Sequence, residues 1–257
     1  SDINALFNSP VLGYNSKDDI VYQFWANRDS HEVYYFDPKT DYAPTTAISS
    51  ISWDDPNFPN IEGFGVWAAK CNFTMGPDGK MYSRMLGGNL VRIDVENARG
   101  ENLTNGDLVG TKDGSAYGLV FDPQDENVFY FSNNDKHCIY KYDLRTKECA
   151  CWAGQEGKSG YLDGPIGQAM FNKPGQMCVD SEGNIILTDT ENHCIRKITM
   201  STGYVSTLAG KPQNSGYVNG SAEDAQFKKP LGICIDNDDV MYIGDSENRA
   251  IRRLAVE

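Results

Sequence analysis

The sequence predicts an all-β fold, a β-propeller of four-stranded antiparallel blades, and three observations carry this prediction. Residues 169–257 contain one pattern twice, with matched positions such as Phe171 and Phe227 always 56 residues apart. Within each copy, short runs of strand-forming residues are separated by turn residues. Weaker equivalents extend back to the start of the chain, so that five blades are legible. A fixed period of this size indicates one repeated unit whose copies bury apolar faces against each other.

The clearest copy predicts the strands of one blade, and the others follow from it. Its four strands are expected at 175–180, 184–189, 193–199 and 204–209, with a long loop over 210–227. The preceding blade starts with a strand at 117–122, the second has strands at 80–84 and 89–94, and the first has strands at 20–27, 31–37 and 42–51. The last copy ends after its third strand. We therefore expect an upstream segment of the parent chain to close the ring, as part of a sixth blade or otherwise; the alternative is a last blade of three strands.

Composition excludes some classes of partner. The formal net charge is −13 and the sequence pI is about 4.6, so the chain repels phosphate backbones and anionic membrane surfaces. No apolar stretch approaches the roughly 18 residues of a membrane span. We expect no nucleic-acid partner and no membrane insertion.

The seven cysteines do not have the spacing of a disulfide framework. Cys138 and Cys194 are one period apart, as are Cys178 and Cys234. Recurrence at one position of the repeat favours small buried apolar residues over disulfide or metal ligands.

Histidines and acidic residues, the usual candidates for acid–base chemistry, also follow the repeat. His31, His137 and His193 occupy one position in three blades, which favours a turn hydrogen bond over catalysis. Asp189 and Asp245 share another position, at the turn after the second strand, where Asp and Asn side chains cap the backbone. The alternative is a ring of ligand-binding residues on the face that carries the long loops. The candidate ring consists of Asn27, Arg84, Asn133, Asp189 and Asp245. The recurring Arg196 and Arg252 are expected to pair with carboxylates of a neighbouring blade.

Residues outside the repeat are better candidates for recognition, because folding of the repeat does not explain them. An irregular insert over 53–67 contains four aromatic residues: Trp53, Phe58, Phe64 and Trp67. Exposed aromatic rings stack on sugars and anchor peptides. The alternative is that they pack the insert onto the ring.

Several signatures resemble the NHL repeat, whose Asn-His-Leu triplet reads Asn192-His193-Cys194 here. They are Phe-x-x-Pro-x-Gly, Asp-x-x-Gly, Asp-x-x-Asn-His and a closing Leu-Ala-Gly. The extended Gly-Tyr loops resemble those of propellers that follow an immunoglobulin-like IPT/TIG domain in secreted bacterial surface proteins. The resemblance implies that 1–257 is a single NHL-type propeller domain, located outside the cell or on its surface and preceded by an immunoglobulin-like domain. By the repeat count, we expect this domain to be a fragment whose ring-closing strand or strands lie upstream.

Catalytic motifs such as Gly-x-Ser-x-Gly and His-Glu-x-x-His are absent from the sequence. The sequence therefore favours a non-catalytic binding or adhesion scaffold that recognises a glycan, peptide or protein through its loop face, without a cofactor. The alternative is a propeller enzyme, resembling a lactonase or lyase, with Ca²⁺ or Zn²⁺ in the central channel. A purely architectural spacer is a third possibility.

Overall fold

The computed structural model describes residues 11–15, 19–26, 31–48, 52–54, 73–84, 89–104 and 117–255. The chain divides into two compact units, Ser1–Lys112 and Asp113–Glu257. The described residues contain strands and short 3-10 turns but no α-helix. None of these turns is long and apolar enough to span a membrane. The predicted all-β class, with four-stranded antiparallel sheets arranged as propeller blades, is confirmed.

The first unit contains two antiparallel modules of four strands in one nine-stranded sheet. The two modules meet where their first strands pair in parallel, Gly13 opposite Phe73 and Tyr14 opposite Thr74. The strands are β1 (Val11–Asn15), β2 (Ile20–Ala26), β3 (His31–Phe36), β4 (Pro44–Ile48), β5 (Ser52–Trp53), β6 (Phe73–Met75), β7 (Met81–Arg84), β8 (Leu90–Asp94) and β9 (Arg99–Asn102). The short strand β5 adds to the outer edge of β9.

The second unit contains three sheets that follow each other along the chain. Their strands are β10 (Leu119–Phe121), β11 (Val128–Asn133), β12 (Cys138–Asp143), β13 (Cys149–Gly154), β14 (Gly164–Pro165), β15 (Pro174–Val179), β16 (Ile185–Asp189), β17 (Cys194–Thr199), β18 (Tyr204–Ala209), β19 (Pro230–Ile235), β20 (Met241–Asp245) and β21 (Ala250–Leu254). Strands β10 to β13 form one sheet, β15 to β18 with β14 the next, and β19 to β21 a sheet of three strands.

The 56-residue period is preserved in the backbone. Strands β15, β16 and β17 begin at residues 174, 185 and 194, and β19, β20 and β21 begin at 230, 241 and 250. The 3-10 turns Thr190–Asn192 and Ser246–Asn248 keep the same spacing. Equal sequence positions therefore take equal structural positions, as a repeat architecture requires.

Apolar faces of successive sheets pack together in the second unit. One cluster joins residues of β10 to β13 with residues of β15 to β18, and a second joins β15 to β18 with β19 to β21. Phe171 and Phe227, which open successive copies, are 0% and 2% exposed and belong to these two clusters. Complete burial of a phenylalanine side chain contributes about 1.5–3 kcal/mol.

His137 and His193 are structural, as predicted, but their hydrogen bonds reach further than one turn. His137 and His193 have φ of +56° and +58° at the end of the turn before the third strand of their sheets. The Nδ1 atom of His137 accepts from the backbone N–H of Lys173 (3.1 Å), and that of His193 accepts from Lys229 (3.2 Å). Each histidine thus fastens the segment that opens the next sheet. His31 is itself the first residue of β3 and lies opposite Ala26, as Cys138 lies opposite Asn133. Its predicted equivalence with the other two histidines is therefore wrong by one residue.

Cysteines of the described residues are free thiols. Cys138, Cys178 and Cys194 are buried, which confirms the prediction of apolar core positions. Cys234 is exposed, unlike its equivalent Cys178. In the preceding sheet, the face that carries Cys178 packs against the last sheet. The equivalent face of the last sheet, which carries Cys234, is not covered by described residues.

Candidate functional site

Asp189 lies at the end of β16 and is fully buried. Its Oδ1 accepts from the backbone N–H of Asn172 (2.8 Å), and its Oδ2 accepts from Nδ2 of Asn192 (2.8 Å) and from Nη1 of Arg196 (2.6 Å). The side chain accepts no capping hydrogen bond from the backbone of the turn that follows, Thr190–Asn192. The prediction that Asp189 caps this turn is therefore wrong. Its carboxylate instead points towards Arg196 and towards Asn172, in the segment that precedes the first strand of the same sheet.

Arg196, on β17, is the partner that organises this region. Its guanidinium donates to the carbonyls of Leu162 (2.9 Å) and Met170 (3.1 Å) and forms a second ion pair with Asp163 (2.7 Å). It also lies over the rings of Tyr161 (4.9 Å) and Phe171 (5.1 Å). Asp189 belongs to the same sheet as Arg196, and Asp163 belongs to the loop that leads into that sheet. The prediction that Arg196 pairs with a carboxylate of a neighbouring blade is therefore wrong for its ion pair with Asp189.

The same group recurs one period later with one change. Arg252 pairs with Asp245 (2.9 Å), and Nδ2 of Asn248 donates to Asp245 (2.8 Å). The guanidinium of Arg252 lies over the rings of Tyr217 (4.9 Å) and Phe227 (5.0 Å). The position equivalent to Asp163 is Asn219. Duplication identifies the arginine–aspartate group as part of the scaffold.

Burial controls the electrostatics of the first copy. Burial raises the pKa of Asp189 to about 6, against the lowering effect of the Arg196 charge and of the donated hydrogen bonds. Burial also acts to lower the pKa of Arg196, but the charges of Asp189 and its other neighbours outweigh it and raise the pKa. The carboxylate and the guanidinium are both buried and lie 2.6 Å apart, which makes this a buried ion pair whose partners depend on each other.

The four described residues of the candidate ring have buried side chains. Arg84, Asn133, Asp189 and Asp245 are at most 1% exposed. Asn133 accepts from the backbone N–H of Lys136 (3.1 Å) within its turn. Asn27 lies outside the described residues. Contact of these side chains with a ligand stays a prediction.

The aromatic insert is described only at its start. The backbone of Trp53 lies in β5, opposite Gly100 of β9. Phe58, Phe64 and Trp67 lie outside the described residues. Asp54 follows Trp53, and its carboxylate pairs with Arg99 (2.9 Å).

A charged cleft of about 330 Å³ lies beside this start of the insert. It is lined by Asp54, Lys80, Arg92, Asp94, Arg99, Gly100 and Glu101. Arg92 pairs with Glu101 and with Asp78 (3.5 Å), and Lys80 pairs with Asp94 (3.6 Å). The cleft therefore offers donors and acceptors of both charges at its surface.

The cleft was not predicted, although the sequence carries a signal for it. Arg92 and Asp94 are two residues apart on β8 and therefore share one face of the sheet. Glu101 and Arg99 lie opposite them on β9. The contribution of Asp54 depends on the pairing of β5 with β9 across 45 residues, which no local pattern indicates. The cleft lies at the end of the sheet that carries the β8–β9 turn, opposite to the end of β7 where Arg84 lies.

The fold and these groups define a protein of β-propeller blades. Residues 171–198 match the NHL repeat. The chain is similar to Protein SUPPRESSOR OF QUENCHING 1, chloroplastic, of Arabidopsis thaliana, with 25% identity over 98% of this chain and 25% of the relative. It is also similar to NHL repeat-containing protein 2 of Gallus gallus, with 30% identity over 58% of this chain and 19% of the relative. The chain thus spans a quarter or less of these curated relatives.

Several solved structures of bacterial proteins have the same fold. A structural genomics protein of unknown function from Bacteroides thetaiotaomicron has a TM-score of 0.78 at 24% identity, over 96% of this chain and 58% of that chain. An auxiliary nutrient binding protein from the same organism has a TM-score of 0.72 at 23% identity, with the same coverage. A virginiamycin B lyase from Staphylococcus aureus has a TM-score of 0.55 at 16% identity, over 96% and 70%. These similarities establish the fold alone.

Proposed function

We propose that this chain is a non-catalytic binding scaffold that recognises a glycan, peptide or protein. The observation that carries the proposal is the charged cleft, whose wall begins at Asp54, directly after the first tryptophan of the aromatic insert. Sites for polar ligands combine aromatic surfaces with a few placed polar groups. The repeated arginine–aspartate groups serve folding, which leaves the cleft and the insert free for recognition. Similarity to an auxiliary nutrient binding protein supports a binding role.

The proposal has two separable parts, the predicted loop face with its insert and the cleft. A glycan and protein array screened with purified protein identifies a ligand, and variants then locate its site. Trp53→Ala and Trp67→Ala remove insert side chains, and Arg99→Ala removes an exposed cation from the cleft. Tyr42→Ala, which removes a 53% exposed aromatic outside the insert, is the matched control.

We expect loss of at least one large contact to weaken binding about tenfold or more, as is typical of an anchor residue. Weakening by the tryptophan variants alone assigns the ligand to the insert, and weakening by Arg99→Ala assigns it to the cleft. Binding that survives all three variants would contradict the proposal.

The second candidate is an enzyme with Ca²⁺ or Zn²⁺ in the central channel, which the fold similarity to virginiamycin B lyase favours. Such a site needs several converging oxygen, nitrogen or sulfur ligands. Groups of three or more His, Cys, Asp or Glu side chains placed to hold a metal do not occur among the described residues. Metal analysis of the purified protein, together with hydrolase and lyase assays with and without added Ca²⁺ or Zn²⁺, tests this candidate directly.

Location at the cell surface, with a preceding immunoglobulin-like domain, belongs to the same proposal through the resemblance to propellers of secreted bacterial proteins. Antibody labelling of intact and permeabilised cells tests it. Labelling only after permeabilisation would contradict a surface location.

A further inference from the structure

Two cysteines meet on neighbouring strands of the first sheet of the second unit. Cys138 begins β12 and lies opposite Gly154, and Cys151 on β13 lies opposite Tyr140. The register of the two strands shifts between these pairs, at Ile139 and Tyr140. The Sγ atom of Cys151 lies 3.8 Å from the carbonyl oxygen of Gly154, the residue opposite Cys138. The two thiols are thus brought together across the strands, where they share a hydrogen bond.

The repeat explains only one of these two cysteines. Cys194 is the equivalent of Cys138 one period later and, like it, is 0% exposed. The equivalent of Cys151 is Thr207, whose hydroxyl lies 2.7 Å from the hydroxyl of Tyr161. A buried cysteine at the first position therefore belongs to the scaffold, whereas the second thiol beside it is particular to this sheet.

The two thiols differ in accessibility and in proton affinity. Cys151 is half-buried, whereas Cys138 is fully buried. The hydrogen bond with Cys138 lowers the pKa of Cys151, against the raising effects of burial and of the Glu156 charge. The hydrogen bond with Cys151, together with burial, raises the pKa of Cys138. Cys151 therefore loses its proton first, while Cys138 stays protonated beside it.

We propose that Cys151 and Cys138 form a dithiol that hydrogen peroxide oxidises to a disulfide, with Cys151 as the reacting cysteine and Cys138 as the resolving one. Thiolate character, access to solvent and a neighbouring second thiol are the properties of redox-sensitive cysteines. This reaction goes beyond the proposed binding function and uses neither the cleft nor the aromatic insert.

The reaction has two steps. The Cys151 thiolate attacks one oxygen of the peroxide, so that an S–O bond forms, the O–O bond breaks, and the leaving hydroxide takes up a proton to become water. The Cys138 sulfur then attacks the sulfenic acid sulfur, an S–S bond forms, and the hydroxyl group leaves as water with the proton of the Cys138 thiol. Two thiols and one peroxide thus give one disulfide and two waters. The product joins β12 to β13 covalently.

Peptide mapping of the oxidised chain tests the proposal. The purified, reduced chain is treated with a small excess of hydrogen peroxide, and its remaining thiols are then alkylated under denaturing conditions. Trypsin releases Cys138 in residues 137–141 and Cys151 in residues 148–158. We expect these two peptides to be cross-linked, with a mass about 2 Da below their sum, and dithiothreitol to separate them. The exposed Cys234 lies in a different peptide and reports non-specific oxidation.

Three variants assign the sulfur atoms. Cys151→Thr gives this position the residue type of its equivalent, Thr207, and should abolish the cross-link. Cys138→Ala removes the resolving thiol, so the sulfenic acid at Cys151 should persist and give about tenfold more dimedone adduct than in the natural chain. Cys149→Ser, which removes another half-buried cysteine of β13, is the matched control and should leave the cross-link unchanged.

Three results would each overturn the inference. One is the absence of the cross-link in the natural chain at a peroxide concentration that oxidises Cys234. Another is a cross-link that persists in Cys151→Thr or disappears in Cys149→Ser, since either result assigns the disulfide to Cys149. The third is a loss of two hydrogens within residues 148–158 alone, which would show that Cys149 and Cys151 pair with each other.

Discussion

Arg196 illustrates how one residue can connect several segments of a sheet. Its side chain is 0% exposed, yet it carries a charge and contacts Asp189, Asp163 and two loop carbonyls. A buried charge is tolerated only when partners replace its lost hydration. The repeat preserves this arrangement at Arg252, which indicates that the pair fixes the approach of the loop to the sheet.

Replacement of Arg196 by methionine should strongly destabilise the protein at neutral pH. The change leaves Asp189 buried and without its cation, which costs about 3 kcal/mol or more. The free energy of unfolding is measured by urea denaturation at several pH values. Arg145→Met, which removes an arginine from exposed ion pairs with Asp125 and Asp143, is the control and should cause a much smaller loss.

The pH dependence of this deficit follows from the pKa of Asp189. Burial already raises that pKa to about 6 in the folded protein, and loss of Arg196 raises it further. A carboxyl with a raised folded pKa contributes stability below its unfolded pKa and loses that contribution as the pH rises through the folded value. The deficit of Arg196→Met should therefore grow from pH 6 to pH 8. A deficit that is constant over this range would contradict the buried-charge explanation.

His137 should make stability sensitive to mild acid. Burial lowers the pKa of His137, and the charge of Lys173 acts in the same direction. Its Nδ1 accepts a hydrogen bond from Lys173, which only an unprotonated Nδ1 can do. A depressed folded pKa supplies stability above the ordinary pKa of about 6.5 that is lost as the pH falls through the folded value.

The measurement compares the natural chain with His137→Gln by urea denaturation at pH 7.5 and pH 5. The natural chain should lose more unfolding free energy on acidification than the variant, because glutamine does not titrate. Equal losses would show that the His137 contact with the next sheet does not depend on protonation.

At the scale of elements, linking strands reveal an organisation that the repeat alone does not show. Strand β14 lies between two modules in sequence and pairs with β18, the last strand of the following module. Strand β5 also lies between two modules in sequence and pairs with β9, but this pairing is parallel, whereas β14 pairs antiparallel. The predicted insert at 53–67 therefore begins with a residue, Trp53, whose backbone belongs to the sheet.

The 56-residue period and the turn residues together predicted the bounds of most strands within one or two residues. The prediction of 204–209 agrees with β18, and 184–189 differs from β16 by one residue. Local patterns succeed here because alternation and turn chemistry act over a few residues. The partners of Arg196 and the charged cleft were missed because they depend on contacts across 7 to 45 residues. Identical residue types also take different environments, as Cys178 and Cys234 show.

At the scale of the whole molecule, acidity should dominate behaviour in solution. The formal net charge of −13 keeps molecules apart at neutral pH, and this repulsion disappears near the sequence pI of about 4.6. We expect a minimum of solubility close to that pH, measured by light scattering during a titration from pH 7 to pH 4. Added salt should screen the repulsion and shift the onset of association to higher pH. Scattering that is flat through the pI would contradict this expectation.

His137 and His193 each bind the segment that precedes the first strand of the next sheet. This arrangement has a consequence for the gene. Lys173 and Lys229 meet equivalent histidines at equivalent distances, so either segment could follow either sheet. Unequal recombination between two such copies would add or remove 56 codons in frame and reproduce the same junction. Family members that differ by whole units, with unchanged residues at the joints, are the expected evolutionary product.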